Sequence, residues 1–239
     1  MKFYLSLLLC TFISLTGKSQ SLEGAWQAIH ADANGNSLKS VVIFADDFQA
    51  VATYEVDSGK FINTNGGLYA INGDTVTEKV EFNSSNPEMI GKEISFKIVK
   101  TDSTIRIVGH DIIFNRIDNG TPGDLNGAWL MSGRVRDGET QTRDTSGPRK
   151  TMKILSGTRF QWIAFNTETK QFMGTGGGTY TTIDGKYTEH IKFFSRDDSR
   201  VGASLEFNYN IIDGNWHHEG LSNKGDPIHE IWSKRLLDN

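Results

Sequence analysis

Leu22-Glu23-Gly24-Ala25-Trp26 returns further along the chain as Leu125-Asn126-Gly127-Ala128-Trp129, and this repetition decides the fold. The offset between the two tryptophans is 129 − 26 = 103. Beyond them the offset settles at 111: Gly67 and Tyr69 match Gly178 and Tyr180, Thr77-Glu78 matches Thr188-Glu189, Phe82 matches Phe193, Gly91 matches Gly202, Phe96 matches Phe207 and Gly109 matches Gly220. The change of offset lies in a polar insertion within Arg134 to Pro148, and a smaller insertion lies within Ser222 to Pro227. Self-similarity at a fixed period marks duplicated structural units. The chain is therefore read as two units, residues 21–118 and 124–239, joined by the turn-rich Asn119-Gly120-Thr121-Pro122-Gly123.

The composition of the unit points to strands. After residue 20 there are 20 Ile and 10 Leu, a bias toward β-branched side chains that suit a pleated surface. Apolar alternation runs through Val76, Val80 and Phe82 and again through Ile94, Phe96 and Ile98. Turn signals stand at Asn72-Gly73-Asp74, Asp184-Gly185 and Asp213-Gly214. The first unit divides into eight short strands near 24–30, 38–45, 48–55, 66–72, 74–83, 92–100, 103–109 and 111–117. Eight antiparallel strands in sequence order close most simply as an up-and-down barrel, which removes exposed edges; a sandwich is the other all-β solution. Each unit begins with Gly-x-Trp and ends with a basic residue. A cation over the Trp face would seal the barrel, with Arg116 available to Trp26 and Lys234-Arg235 to Trp129.

With Gly24-Ala25-Trp26 and Gly127-Ala128-Trp129 the sequence resembles the lipocalin-like (calycin) proteins, and the resemblance implies closure by Arg116 over Trp26 and Arg235 over Trp129. Through Gly-Gly-x-Tyr and Tyr-Thr-Glu it is also similar to uncharacterised tandem lipocalin-like proteins secreted by bacteria. The resemblance implies two eight-stranded barrels and a ligand held inside one. The units are shorter than classical lipocalins and carry no disulfide.

The first 19 residues differ from the rest. Lys2, the apolar Phe3 to Leu15 and the small residues Gly17 and Ser19 form a secretory signal peptide pattern, too short an apolar run to span a bilayer. A secreted protein, periplasmic or extracellular, is expected. Removing this segment takes away two Lys and the only Cys, so the mature charge is 23 − 29 = −6 and no thiol nucleophile remains. A weakly acidic chain of 239 residues with 37% hydrophobic content excludes a disordered chain, a collagen-like chain, a disulfide scaffold and a polytopic membrane protein, and argues against a nucleic-acid partner.

Strand parity places Glu78 and Glu189 on inward faces, with Val76, Val80 and Phe82 in one unit and Tyr187, Ile191 and Phe193 in the other. A buried carboxylate needs a partner, a ligand, water or a raised pKa. The units then diverge: inward Ile105 and Ile107 become Trp216 and His218, and Ile98 becomes Tyr209. Phe160, Trp162 and Phe172 add aromatic surface to the second unit. Tyr180, Glu189, Tyr209, Trp216 and His218 are thus the expected contacts for a small apolar or amphipathic molecule in the second barrel, with the first barrel a filled core. Glu189 and His218 could alternatively act as an acid/base pair of an isomerase, cyclase or lyase, and the Arg134 to Pro148 insertion could serve an interaction scaffold. No cofactor is expected. No metal is expected either, because His217 and His218 point to opposite faces and His190 and His229 fall on the outward parity.

Overall fold

The computed structural model describes residues 21–222 and 225–237. The expected signal peptide, and part of the insertion after Ser222, lie outside them. β1 (Gly24–Ala31), β2 (Ser37–Ala45), β3 (Phe48–Glu55), β4 (Phe61–Asn72), β5 (Thr75–Asn83), β6 (Glu93–Lys100), β7 (Thr104–Ile107) and β8 (Ile113–Asp118) form a closed antiparallel barrel in sequence order. The second barrel repeats the meander with β9 (Gly127–Arg136), β11 (Arg149–Leu155), β12 (Arg159–Asn166), β13 (Gln171–Ile183), β14 (Lys186–Phe194), β15 (Ser204–Ile212), β16 (Asn215–Leu221) and β17 (Pro227–Lys234). It is closed by pairing of β9 with β17. The long insertion becomes β10 (Glu139–Thr142), an exposed hairpin arm folded back on β9. Both units fit a lipocalin-like architecture. The turn signals act as expected: Asp184-Gly185 and Asp213-Gly214 take positive φ at both residues, the twist that a tight hairpin needs.

The Gly-Gly pairs have a structural cause. In β4, Gly66 pairs with Phe82 and Gly67 with Val80, so Glu81 of β5 is an extra residue in the ladder. In β13, Gly177 pairs with Phe193 and Gly178 with Ile191, which makes Lys192 the extra residue. A bulge of this kind reverses the side-chain parity that follows it. Phe82 and Phe193 consequently do not share the inward face of Glu78 and Glu189; both point out of their barrels. A Cβ on Gly66 would sit 2.5 Å from Phe82 Cζ, and one on Gly177 would sit 2.8 Å from Phe193 Cζ. The first glycine of each pair leaves room for the outward phenyl ring.

These outward faces meet. Ala25, Ile43, Ala45, Phe48, Ala50 and Phe82 of the first barrel pack on Ala128, Leu130, Met152, Ile154, Ile163 and Phe165 of the second, forming a core between the barrels. Tyr54 stacks on Phe193 with ring centroids 5.0 Å apart. Phe172, expected inside the second barrel, stacks at 6.0 Å on Phe61 of the first. Gln161 Nε2 donates to Thr64 Oγ1 across the interface at 2.8 Å. At the linker, the Asp118 carboxylate accepts from the backbone N–H groups of Gly157 (3.1 Å) and Thr158 (3.0 Å), tying the end of β8 to the β11–β12 turn.

Closure follows the expected pattern in one barrel and shifts by a residue in the other. Arg116 lies 3.8 Å over the Trp26 ring. Over Trp129 the cation is Lys234, at 4.5 Å, because Lys234 is the residue of β17 that pairs with Trp129. Arg235, one position on, points the opposite way. It covers Phe48 of the first barrel at 4.0 Å and pairs with Glu81 at 2.5 Å, both side chains nearly buried. The predicted Trp129–Arg235 closure is therefore corrected to Trp129–Lys234, and Arg235 joins the two barrels.

Candidate functional site

The inside of the second barrel is built around one lysine. Lys153 stands on β11 opposite Trp129 of β9 and Trp162 of β12, so its parity sends it inward while Met152 and Ile154 face the other barrel. Its ammonium is 2.9 Å from Glu189 Oε1, with both side chains about 93% shielded from solvent (6% and 7% exposed). Tyr187 donates its hydroxyl to the same oxygen at 2.9 Å. Burial, and then the Glu189 charge, hold the Tyr187 phenol far above its usual pKa, so it stays a donor. The ammonium also lies 4.9 to 5.1 Å from the ring centroids of Trp216, Tyr187 and Trp232. A desolvated cation gains from such ring faces. The carboxylate, the phenol and the rings together answer the desolvation of this lysine.

A second polar pair lies beside it. Glu230 Oε2 accepts from Trp232 Nε1 at 3.1 Å and is 3.2 Å from His218 Nδ1. Burial pushes the Glu230 pKa up, but the His218 hydrogen bond and the Lys153 charge outweigh it and hold the carboxyl below its usual range. Burial, and then the Lys153 charge, lower the His218 pKa, which keeps the imidazole neutral near pH 7. An ionised carboxylate only accepts, so His218 Nδ1 carries the hydrogen and Nε2 is a bare acceptor. That buried Nε2 has no hydrogen-bond partner, nor has the nearby Trp216 Nε1.

Above these groups is a cavity of about 500 Å³. Lys153, Glu189, His218 and Glu230 are among the residues that line it, with Met131, Trp162, Phe194, Leu205, Phe207 and Trp232 as walls and Ser199 and Arg200 at the rim. Arg200 is held 4.5 Å over the Phe194 ring.

Of the five expected ligand contacts, Glu189 and His218 line this cavity. Trp216 is fully buried beneath it, edge-on to Trp129 and Tyr187. Tyr180 does not line the cavity; it is buried and donates to the Ser156 carbonyl at 2.5 Å. Tyr209 is at the edge, donating to Asp124 Oδ2 at 2.7 Å. Glu189 and His218 share the lumen, but each is committed to a partner of its own, Lys153 for one and Glu230 for the other; this does not favour an acid/base pair. Sequence reasoning missed Lys153, Glu230 and Trp232. Their signal was parity: Lys153 interrupts an apolar strand, and Glu230 and Trp232 alternate with the closing Lys234. The outer histidines have other partners, His217 with His229 at 2.9 Å and His190 with Ser204 at 3.0 Å. Among the described residues no three potential ligands converge on a metal position, and no helix is long and apolar enough to cross a membrane.

The first barrel is not the filled core expected of it. Ile105 and Ile107 line a largely apolar cavity of about 360 Å³, walled also by Val42, Val51, Phe96 and Phe114, with Gln49, Asn65, Glu78 and His110 as polar groups. Both barrels thus contain a lumen, and their chemistry differs.

Residues 124–239 match a family described as a domain of unknown function (DUF4488), a match that covers the second barrel. No curated protein matches the chain. Among solved structures, the chain is similar to a DUF1329 family protein from Desulfovibrio piger, at 11% identity over 90% of this chain and 85% of that one. The TM-score is 0.15, at which the likeness carries no argument.

Proposed function

We propose that this is an exported binding protein whose second barrel holds a small amphipathic molecule. The observation that carries the reading is the cavity of about 500 Å³ with aromatic walls and an ordered polar floor in which His218 Nε2 lacks a partner. Cavities of about 300 to 1,000 Å³ with apolar walls and a few placed polar groups suit small ligands. The apolar part of such a ligand would pack on Trp162, Phe194 and Phe207. A hydroxyl or N–H on its polar end would donate to His218 Nε2, supplying the hydrogen bond that the protein leaves unmade. Residues 1–19 act as the export signal in this reading, leaving barrels of residues 21–118 and 124–239.

Trp162 and Trp232 border the lumen, so their emission reports occupancy. Titration with a solvent extract of the producing organism should shift tryptophan emission in the wild type. It should leave Leu205→Trp, which fills the lumen, without a saturable response. A saturable response that Leu205→Trp leaves unchanged would exclude this cavity. N-terminal sequencing of exported protein should begin at Gln20, and an intact Met1 in the exported fraction would refute signal cleavage.

A further inference from the structure

The repeat sets up a comparison between two carboxyls at one position. Glu189 of the second barrel is answered by Lys153 and Tyr187. In the first barrel the strand partner of Trp26 is Val42, where the partner of Trp129 is Lys153. Val76 stands where Tyr187 does, two residues before the glutamate. Glu78 therefore lacks both partners, yet it is only 5% exposed and lines the lumen. Gln49 lines the same lumen, and Glu78 Oε1 is buried with no hydrogen-bond partner.

We propose that the first barrel is a second binding site, for an uncharged, largely apolar molecule that carries a carbonyl or ether oxygen, and that Glu78 donates a hydrogen bond to that oxygen. This stands whether or not the second barrel holds a ligand. An unpaired carboxylate in such surroundings is costly, whereas a neutral carboxyl needs only an acceptor for its O–H. Burial raises the Glu78 pKa to about 7, with the Gln49 side chain alone acting against it and no charge contributing. The groups that face it agree. β3 contributes Gln49 and β6 contributes Ile94; β4 contributes Tyr69, whose pKa burial and then the Glu23 charge raise, leaving it uncharged. His110 is at the opening, and Arg116 is engaged over Trp26. An amine ligand would be the other way to answer Glu78. Of the three rings around the Lys153 ammonium, Tyr187 and Trp216 are replaced in the first barrel by Val76 and Ile105, and only Trp232 keeps a ring there, as Phe114, so the ring cage of that cation is not reproduced.

Nile red, an uncharged apolar dye with a carbonyl oxygen, tests the site directly in the full chain, with decylamine as the cationic competitor. Nile red should bind the wild type at about pH 6 and weaken by about tenfold per pH unit above about 7 as Glu78 ionises. Glu78→Gln, which keeps a neutral donor of the same shape, should bind with no pH dependence in that range. Glu78→Leu should lose about tenfold or more in affinity, the worth of a buried hydrogen bond. Ile107→Trp should abolish binding by filling the lumen, and Leu205→Trp in the second barrel should leave it intact. The proposal is overturned if Ile107→Trp leaves dye binding unchanged, if Glu78→Gln keeps the wild-type pH profile, or if decylamine displaces the dye more strongly as Glu78 ionises.

Discussion

Replacing Glu78 by Gln should make the protein more stable at alkaline pH, by an amount that follows from its surroundings. The carboxyl is nearly buried in an apolar lumen, and burial moves its pKa from the ordinary 4.5 of an exposed glutamate to about 7. The folded-state value is the higher one, so the folded protein holds this proton more tightly than the unfolded chain. Its contribution is fully present below about 4.5 and is lost progressively as pH rises to about 7. A difference of about 2.5 units at 1.36 kcal/mol each amounts to about 3 kcal/mol lost by about pH 8.5. With a urea m-value of about 3 kcal/mol/M, that is a midpoint shift of about 1 M. Glu23 is also raised to about 7, chiefly by burial and then by Asp46, so the wild type falls for two reasons across one window. Urea midpoints measured from about pH 4.5 to 8.5 should therefore fall in the wild type, fall less in Glu78→Gln, and fall least in Glu23→Gln/Glu78→Gln. If Glu78→Gln falls as steeply as the wild type, the lumen carboxyl is hydrated and the reasoning about its burial fails.

Other consequences concern the ion pairs and bulges. Lys153→Met strands Glu189 and should cost about 3 to 5 kcal/mol in urea unfolding, most of it recovered in Lys153→Met/Glu189→Gln; a single variant as stable as wild type would mean the pair is solvated. Arg235→Met strands Glu81 between the barrels and should cost a similar amount, about 3 to 5 kcal/mol, whereas Lys234→Met should cost only about 0.5 to 2 kcal/mol and alter Trp129 emission. The reverse order would restore Arg235 as the closing residue. Gly66→Ala and Gly177→Ala should each cost about 1 to 3 kcal/mol, because the added methyl crowds the Gln49 or Phe160 carbonyl of the next strand together with the Phe82 or Phe193 ring, and a neutral outcome at both would contradict the bulge geometry.

The barrels were legible because the repeat and the turn signals survive in one sequence, and the strands assigned in the first unit agree with the observed ones to within two residues, except β4, which begins five residues earlier, at Phe61. What alternation could not show was any place where a single residue shifts the parity. Glu81 and Lys192 are extra residues in their ladders, so Phe82 and Phe193 change sides although their spacing looks regular. The same one-residue difference separates Lys234, over Trp129, from Arg235, over Phe48. The core between the barrels had a signal in β3, where Phe48, Ala50, Ala52 and Tyr54 alternate with an inward set and both faces are buried. Strands that are apolar or small on both faces need two neighbours. The inward glutamates were readable from the sequence, but which one lacked a counter-ion was not, since Lys153 reaches Glu189 across 36 residues of chain.

Native mass spectrometry of the protein purified from its producing organism tests whether the lumens hold small molecules. Species heavier than the polypeptide by one or two small molecules are expected, with the second-barrel adduct absent from Leu205→Trp and the first-barrel adduct absent from Ile107→Trp. Bare polypeptide in the wild type, or an adduct that persists in the double variant, would contradict that expectation.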